Sequence, residues 1–267
     1  MDALGVDPAV LAAGGVAARL DGPVLHLRLD RPAVRNAQTP STWRALAAVG
    51  AGADESVRVV VVTGAGPSFS AGLDRRLLDG TGLAGEPSLA ELAQRAGGDL
   101  DATIAGFQAG FTWLADPRWV SVAGVAGHAV GAGLQLALAC DLVVCADDAQ
   151  LAMREPSLGL VPDLGGTGAL VRAVGYAAAL ELCLTGRFMG ADEAVARGLA
   201  LAAVPRRELP ARLDELVTAL LAAPAGAARA TKALLASAAA GTPATQQLAR
   251  ERVAQVERLA ALAGRLG

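Results

Sequence analysis

Aromatic side chains are scarce in this sequence, although the sequence is strongly apolar. Phenylalanine, tryptophan and tyrosine make up 3% of the 267 residues, whereas hydrophobic residues make up 53%. The core must therefore be built from alanine, valine and leucine. This composition favours a helix-rich α/β protein over an all-β sandwich, which usually draws on aromatic and β-branched residues. A chain of this length can form one large domain or two small ones.

Charge of one sign is not in excess either. The chain carries 23 Lys and Arg residues and 26 Asp and Glu residues, a formal net charge of −3. It has no basic run of the kind that follows a phosphate backbone, so nucleic acid is not an expected partner. The only histidines are His26 and His128, and neither has a second ligand at a useful spacing. A metal site is therefore not expected.

Cysteines are too few and too scattered for a disulfide framework. Cys140, Cys145 and Cys183 form no C-x-x-C pair and have apolar neighbours, which predicts reduced, buried thiols in the cytoplasm. The N-terminus shows no basic segment followed by an unbroken apolar core, so no signal peptide is indicated. The longest apolar stretch, around residues 134–146, is interrupted by two polar residues and is too short to span a bilayer. We therefore expect a soluble cytoplasmic protein with no membrane partner.

Predicted strands and helices alternate along the first two-thirds of the chain. Apolar and β-branched runs predict strands over residues 23–32, 57–66, 118–127 and 141–148. Helical spacing after a threonine-rich start predicts a helix over 39–54. This alternation indicates a parallel sheet with crossover connections. Residues 80–100 are predicted to form a loop or short helix, and residues 101–115 a helix that forms one wall of the site.

The last third of the chain is predicted to be mainly helical. Residues 191–205 predict a helix, a glycine turn and a short strand, and from Pro210 onwards the pattern is helical. The segment TPATQQLARERVAQVERLAALAGRL predicts a long amphipathic closing helix. Its apolar face can cover an interface between subunits, or it can form a cap on its own subunit.

One segment, GHAVGAGLQLALACDL (127–142), places three glycines before an apolar run. Each glycine costs roughly 0.5–1 kcal/mol against alanine inside a regular element, so close backbone approach is expected there. A G-x-G-x-x-G dinucleotide fingerprint would need a third glycine that is missing, and no phosphate-binding Gly-Lys-Ser/Thr loop is present. Two interpretations stay open. Either a helix begins near Ala132 and points its free N–H groups at a ligand oxygen, or a strand and helix pack tightly.

A second segment, GPSFSAGLDRRLL (66–78), favours the ligand interpretation. It also follows a predicted buried strand and places Ala71, Gly72 and Leu73 before a helical stretch. Two backbone donors from two separate loops are what an oxyanion hole requires.

Together these segments resemble the two signature segments of the crotonase superfamily, the enoyl-CoA hydratases and isomerases. The match is collinear over about residues 20–240. The matching segments are LDRPAVRNAQ (29–38), FSAGLD (69–74), AGHAVGAGLQLALACDL (126–142), REPSLGLVPDLGGT (154–167), TGRFMGADEAVARGL (185–199) and ATKALLA (230–236).

The resemblance implies particular roles for residues of this chain. It implies that the backbone N–H groups of Leu73 and Ala132 bind the thioester oxygen, and that Glu155 is the catalytic acid/base. Family hydratases have a second carboxylate, but its position is occupied here by Gln135. Dienoyl-CoA isomerases have an aspartate eight residues after the glutamate, where this chain has Asp163. Contacts to the substrate are implied for Ala33, Arg35, Ala37, Ala71, Asp74, Gly131, Gln135, Pro162 and Lys232.

Simpler structural interpretations of the two carboxylates stay open as well. Glu155 follows Arg154 and could form a surface ion pair with it. Asp163 follows Pro162 and suits a turn.

The resemblance also implies a fold and an assembly. The expected fold is an α/β spiral of repeated ββα units over residues 1–200, which hold the acyl-CoA thioester site. Residues 201–267 are expected to form a helical oligomerisation region. A homotrimer or hexamer is expected, and no cofactor is needed, because CoA arrives as part of the substrate.

The expected function is double-bond isomerisation of an acyl-CoA thioester. A neutral amide at Gln135 can orient a water molecule but cannot remove its proton. Hydration of a 2-enoyl-CoA is the alternative, and a non-catalytic acyl-CoA binder is a third possibility. A serine hydrolase is disfavoured, because the chain has no G-x-S-x-G motif.

Overall fold

The computed structural model describes residues 4–78 and 82–266. It shows a mixed α/β fold, as the sequence predicts. The described strands are β1 (Val16–Asp21), β2 (Val24–Leu29), β3 (Val59–Gly64), β4 (Val120–Val125), β5 (His128–Val130), β6 (Leu142–Ala146), β7 (Gln150–Ala152), β8 (Met189–Gly190) and β9 (Ala202–Val204). The described α-helices are α1 (Pro8–Gly14), α2 (Pro40–Gly52), α3 (Leu89–Ala93), α4 (Gly97–Thr112), α5 (Ala132–Ala139), α6 (Gly166–Val174), α7 (Tyr176–Thr185), α8 (Ala191–Ala196), α9 (Leu209–Ala222), α10 (Ala225–Ala239) and α11 (Ala244–Leu266).

The larger sheet has the strand order β1-β2-β3-β4-β6-β9. Only the β1–β2 pair is antiparallel, and the other described pairs in this sheet are parallel. Strand β3 shows why such a sheet needs continuous apolar runs. Val59 and Val61 pack on the side covered by α9, whereas Val60 and Val62 belong to the main core on the opposite side. Both faces are buried, as parallel strands require.

A smaller sheet has the order β5-β7-β8. It is linked to the larger sheet by a repeated unit of two strands and a helix, seen in β4-β5-α5 and again in β6-β7-α6. In each unit the first strand joins the large sheet and the second joins the small one. The small sheet therefore sets the N-terminus of α5 and the segment after β7 side by side, because β5 and β7 are parallel neighbours.

Helix α2 begins where the sequence predicts. The hydroxyl of Thr39 accepts a hydrogen bond from the Thr42 N–H, and the Thr42 hydroxyl accepts one from the Thr39 N–H. This reciprocal capping satisfies two N–H groups that a helix start leaves without partners. Residues 80–100 were predicted as a loop or short helix. Residues 80 and 81 lie outside the described residues, and the described remainder contains α3 and the first turn of α4.

Strand β9 and helix α9, in the C-terminal third of the chain, pack on the large sheet. Strand β9 pairs with β6, and Leu209, Leu213 and Val217 of α9 are buried against the strands. Both elements belong to the predicted 201–267 region, yet the structure packs them with the core. Helix α10 also contacts the core, through Lys232. Within the described part of the chain, no helix is both long enough and apolar enough to cross a bilayer.

Candidate active site

A cavity of about 420 Å³ lies between the two signature segments and helices α2 to α4. One side of it is hydrocarbon and aromatic, formed by residues such as Trp43, Leu92, Ile104 and Phe107. The other side carries the polar groups, among them Gln135, Glu155 and Asp163. An apolar cavity with a few polar groups at one end is typical of a small-molecule site.

Backbone pairing joins the two glycine-containing segments. The Ser70 N–H donates to the His128 carbonyl over 2.8 Å, and the Val130 N–H donates to the Ser70 carbonyl over 3.0 Å. This short parallel bridge continues the first segment alongside β5. Leu73 and Ala132, three and two residues further on, both line the cavity.

The glycines are needed because backbone groups of the two segments approach each other closely. At Gly72 φ is +83°, and a Cβ there would lie 2.4 Å from the Val130 carbonyl oxygen. At Gly133 a Cβ would lie 2.6 Å from the Ser70 carbonyl oxygen. Gly131 instead faces a side chain, because its φ is +52° and a Cβ would lie 3.1 Å from Oε1 of Glu155. The chain therefore packs tightly at the glycine-rich segment, as one interpretation predicts. The segment also borders the cavity, which the ligand interpretation requires.

Two backbone amides at this junction are available to a ligand. Among the residues that the structure describes, no hydrogen-bond acceptor is found for the N–H of Leu73 or of Ala132. Ala132 is the first residue of α5, where N–H groups lack partners within the helix and the helix dipole is positive. Both groups can donate to an oxygen in the cavity. Donation by both to one thioester oxygen stays a prediction.

Glu155 is held by a buried amide from α5. It begins a short 3₁₀ turn, Glu155–Leu158, after β7. Nε2 of Gln135 donates to Oε1 of Glu155 over 2.7 Å. Oε2 of Glu155 is buried without a hydrogen-bond partner in the described chain. Burial raises the pKa of this carboxyl above its usual range, although the backbone N–H of Glu155, the amide of Gln135 and the backbone N–H of Arg154 oppose the rise.

Asp163 is the second carboxylate of the cavity. Burial raises its pKa, and its negative charge contributes to the raised pKa of Glu155. Nε2 of Gln108, on α4, donates to the backbone carbonyl of Asp163 over 2.7 Å and fixes this loop. Neither simple interpretation accounts for the carboxylates. Within the described residues Glu155 forms no ion pair with Arg154, whose guanidinium lies over the Phe188 ring, and the Asp163 side chain is partly buried in the cavity wall.

The structure brings seven of the predicted site residues to the cavity and leaves six outside its lining. Those at the cavity are Ala71, Leu73, Gly131, Ala132, Gln135, Glu155 and Asp163. Those outside the lining are Ala33, Arg35, Ala37, Asp74, Pro162 and Lys232. Their predicted contacts to CoA stay predictions.

Two of the residues outside the lining, Asp74 and Arg35, connect the first signature segment to the 31–38 loop, and a third, Ala37, contacts Arg31 within that loop. Asp74 is buried and forms ion pairs with Arg31 over 3.2 Å and Arg76 over 2.8 Å. The Ala71 N–H donates to the Arg35 carbonyl over 2.8 Å, and the Arg31 guanidinium donates to the Ala37 carbonyl over 2.6 Å. These contacts position the loop that ends at Leu73.

Lys232 lies where α10 meets the large sheet. Its Nζ donates to the carbonyls of Asp116 and Trp119 and forms a 2.7 Å ion pair with Asp141. The side chain is only 12% exposed. The structure therefore shows Lys232 fastening the C-terminal helices to the core.

The sequence interpretation missed several residues of the site. Gln108 has no sequence signal, because its contact with Asp163 spans 55 residues. Trp43 and Phe107 could have been predicted as part of the cavity wall, because aromatic residues are rare in this sequence and each one is therefore a candidate for the lining of a site. Their rings lie 4.8 Å apart. Arg75 and Arg154 add two cations to the cavity lining.

Comparison with known proteins agrees with this geometry. The sequence model of the Enoyl-CoA hydratase/isomerase family matches residues 20–261. A Mycobacterium bovis protein named as a probable enoyl-CoA hydratase is 34% identical over 208 residues, covering 77% of this chain and 75% of that protein. A carnitinyl-CoA dehydratase of Salmonella typhi is 36% identical over 204 residues, covering 75% and 72%.

Solved structures show the same fold. A Thermobifida fusca protein assigned as an enoyl-CoA hydratase, in complex with CoA, superposes with a TM-score of 0.91 at 47% identity, over 97% of this chain and 98% of that chain. A structure of a T. fusca protein with the same assignment, bound to acetoacetyl-CoA, gives a TM-score of 0.89 at 47% identity, over 96% and 98%. The predicted crotonase-like α/β fold is confirmed.

Proposed function

This chain belongs to the enoyl-CoA hydratase/isomerase family, and we propose that it moves the carbon–carbon double bond of an enoyl-CoA thioester. The observation that carries the proposal is the pairing of Glu155 with the amide of Gln135. A carboxylate can take and return a proton, whereas an amide cannot. Moving a double bond needs only one such base, but adding water needs a second group to deprotonate the water.

The first step removes a proton from the carbon next to the thioester. In a 3-enoyl-CoA, the carboxylate of Glu155 takes the proton at C2, and the electron pair of that C–H bond is delocalised onto the thioester oxygen as a dienolate. The N–H groups of Leu73 and Ala132 donate to this oxygen as it becomes negative. Each donor of this kind contributes about 3–4 kcal/mol to transition-state stabilisation.

The second step returns the proton at a different carbon. The dienolate takes the proton from Glu155 at C4, the double bond forms between C2 and C3, and the carboxylate is regenerated. The proton and the double bond have moved, and nothing is oxidised or reduced. Burial raises the pKa of Glu155. The pKa of the base is thereby brought closer to the much higher pKa of the C2–H group, which makes proton transfer easier. The apolar wall around Phe107 limits the water that could hydrate the intermediate.

Hydration of a 2-enoyl-CoA is the second candidate function. It is favoured by the presence of Asp163 in the same cavity as Glu155 and by the hydratase names of the relatives. In that reaction one carboxylate would remove the proton of a water molecule while the other supplied a proton at C2. Asp163 would then be essential, whereas isomerisation through Glu155 alone tolerates its loss.

The two functions are separated by incubating the purified protein with 3-enoyl-, 2-enoyl- and 3,5-dienoyl-CoA and identifying the products by mass spectrometry. We expect a change of double-bond position without a gain of mass. We expect E155Q to lose at least about a hundredfold in kcat, the usual contribution of a positioned acid/base group, while it still binds acyl-CoA. D163N serves as the comparison variant.

Three outcomes would contradict the proposal. A gain of one water molecule that requires Asp163 would identify a hydratase. Turnover by E155Q at the wild-type rate would remove the assigned base. Binding without any product would identify an acyl-CoA binder.

Assembly and compartment complete the proposal. Apolar side chains that include Val253, Val256 and Leu259 are exposed on α11, and they support self-association into a trimer or hexamer, which light scattering on a sizing column would test. Cys140 and Cys145 are free and buried, which supports a reducing, cytoplasmic environment. The chemistry above uses the chain's own groups and the CoA of the substrate, with no further cofactor.

A further inference from the structure

The amide of Gln135 connects two parts of the active site. The residue is 1% exposed. Its Nε2 donates to Oε1 of Glu155 over 2.7 Å. Its Oε1 accepts hydrogen bonds from the Leu164 N–H over 2.9 Å and from the Gly166 N–H over 3.3 Å. One buried side chain therefore joins the carboxylate to the turn that follows Asp163.

These partners determine which way the amide points. Backbone N–H groups can only donate, so the atom that faces Leu164 and Gly166 must be the amide oxygen. The amide nitrogen must then face Glu155. The reversed amide would bring N–H against N–H on one side and oxygen against a carboxylate on the other. Gly166 also leaves the space that this requires, because a Cβ there would lie 2.6 Å from Cγ of Gln135.

The same bond distinguishes the two oxygens of Glu155. Oε1 is occupied by Gln135, and Gly131 provides the space beside it. Oε2 has no hydrogen-bond partner among the described residues and is buried. The protein therefore engages one oxygen of the carboxylate and leaves the other without a partner, and the bond to Oε1 restricts rotation of the carboxylate about its last bond.

We propose that Gln135 is a positioning residue, which fixes Glu155 by holding Oε1, leaves Oε2 without a protein partner, and couples the orientation of the carboxylate to the loop that carries Asp163. This goes beyond the predicted role of Gln135 as a substrate contact. This inference rests on the proposed function, because it takes Glu155 to be the catalytic base. It applies equally whether Glu155 serves isomerisation or hydration.

The other groups that act on Glu155 come from several elements. Asp163 faces it from the next loop and raises its pKa. Burial raises the pKa of the Cys183 thiol on α7, and the charge of Glu155 adds to that rise. Arg154 precedes Glu155 in the chain but lies over Phe188. Gln135 is the side-chain donor that favours the ionised form of Glu155.

The test compares Q135M with Q108M. Q135M keeps the length of the side chain but removes both the donor to Glu155 and the acceptor for the turn. Q108M removes the bond from α4 to the Asp163 carbonyl and leaves the Gln135–Glu155 bond intact. Difference infrared spectra against E155Q in each background follow the protonation of Glu155 without any turnover. Steady-state kinetics on the preferred enoyl-CoA are measured in parallel.

For Q135M we expect kcat to fall by about tenfold to a hundredfold, the cost of a displaced catalytic group, with KM within about threefold of wild type. Glu155 should titrate at higher pH than in the wild type, because a donor to its charged form is lost. Q108M should leave that titration unchanged. The proposal is overturned if Q135M and wild type titrate at the same pH, or if Q108M shifts the titration as much as Q135M.

A second variant covers the case in which Q135M does not fold. Q135E retains an acceptor for the Leu164 and Gly166 N–H groups but turns a carboxylate towards Glu155, so the titration should move to higher pH still. An unmoved titration in folded Q135E overturns the proposal. Failure of the proposed function looks different: E155Q would keep its activity, whereas the infrared titration would still report the bond between Gln135 and Glu155.

Discussion

Replacing Gly72 by alanine should separate the backbone geometry of the site from its acid/base chemistry. Gly72 precedes Leu73 in one of the two segments that supply the candidate oxyanion donors, and it faces Val130 of the other segment. Its φ is +83°, and a Cβ would lie 2.4 Å from the Val130 carbonyl oxygen and 3.5 Å from the Ala132 nitrogen. The added methyl group must therefore push the Leu73 segment away from β5 or displace Val130. Either movement shifts one amide relative to the other.

G72A should change both the free energy of unfolding and kcat. Two separate costs lower the free energy of unfolding. A left-handed backbone conformation costs a non-glycine residue roughly 1–2 kcal/mol, and forcing an extra methyl into a packed site costs about 1–3 kcal/mol. G72A should therefore lower the free energy of unfolding by about 2–5 kcal/mol. Displacing one oxyanion donor should lower kcat by about a hundredfold to a thousandfold.

The chain offers a matched control in Gly22, in the turn between β1 and β2. Its φ is +52°, and a Cβ there would meet nothing within 4 Å. G22A therefore carries the conformational cost without the collision. Urea unfolding and kcat on the preferred enoyl-CoA are measured for both variants. If folded G72A turns over at the rate of G22A, the Leu73 amide does not stabilise the transition state.

Two further predictions concern pH and the C-terminal helices. Burial raises the pKa of Glu155 and of Asp163, so the folded chain holds these protons more tightly than the unfolded chain. Stability from this source is full below about pH 4, the ordinary carboxyl range, and is lost as the pH rises through the raised pKa values. The Tm of E155Q relative to wild type should therefore increase with pH in thermal melts, and a constant difference would contradict this. K232M should lower the free energy of unfolding by about 1–3 kcal/mol, because it leaves Asp141 without its cation, and should leave KM for acyl-CoA within about twofold. A raised KM with unchanged unfolding would instead support the predicted CoA contact of Lys232.

Strands β2, β3, β4, β6 and β9 of the large sheet could be predicted from the sequence because they are locally encoded, whereas β1 was not predicted. The run around Val60 consists of consecutive β-branched, apolar residues. Such a run predicts a strand that is buried on both faces. The small sheet could not be predicted. Strands β5, β7 and β8 are two or three residues long, and β5 and β7 pair across about 20 residues of intervening chain. Such short strands exist only because the rest of the fold brings them together.

In the candidate site too, some residues could be predicted from the sequence and others could not. The candidate backbone donors and Glu155 were predicted from a family resemblance, which is carried by segments visible in the sequence. The bond between Gln135 and Glu155 was not, because no local pattern indicates which side chain 20 residues away meets a buried carboxylate. Asp74 and Lys232 show a further limit of the sequence. Their substrate contacts stay predictions, and no local pattern indicates that the fold also provides each with an oppositely charged partner.

The donors of an oxyanion hole are effective only if they are already in place before charge develops, and a buried polar network around Ser70 provides this rigidity. The Ser70 hydroxyl donates to the Asn36 carbonyl over 2.8 Å and accepts from the Gln38 amide and the Gly72 N–H over 3.0 and 3.2 Å. Oε1 of Gln38 in turn accepts from the indole N–H of Trp43 over 2.8 Å. Because a buried network of this kind is stable only when every member has its partner, the Leu73 segment cannot move without breaking several bonds at once. The conformational entropy that the glycines lose on folding is thus offset by the hydrogen bonds that hold this loop in one position. The same network links the rigidity of the candidate donors to Trp43 in the apolar wall of the cavity.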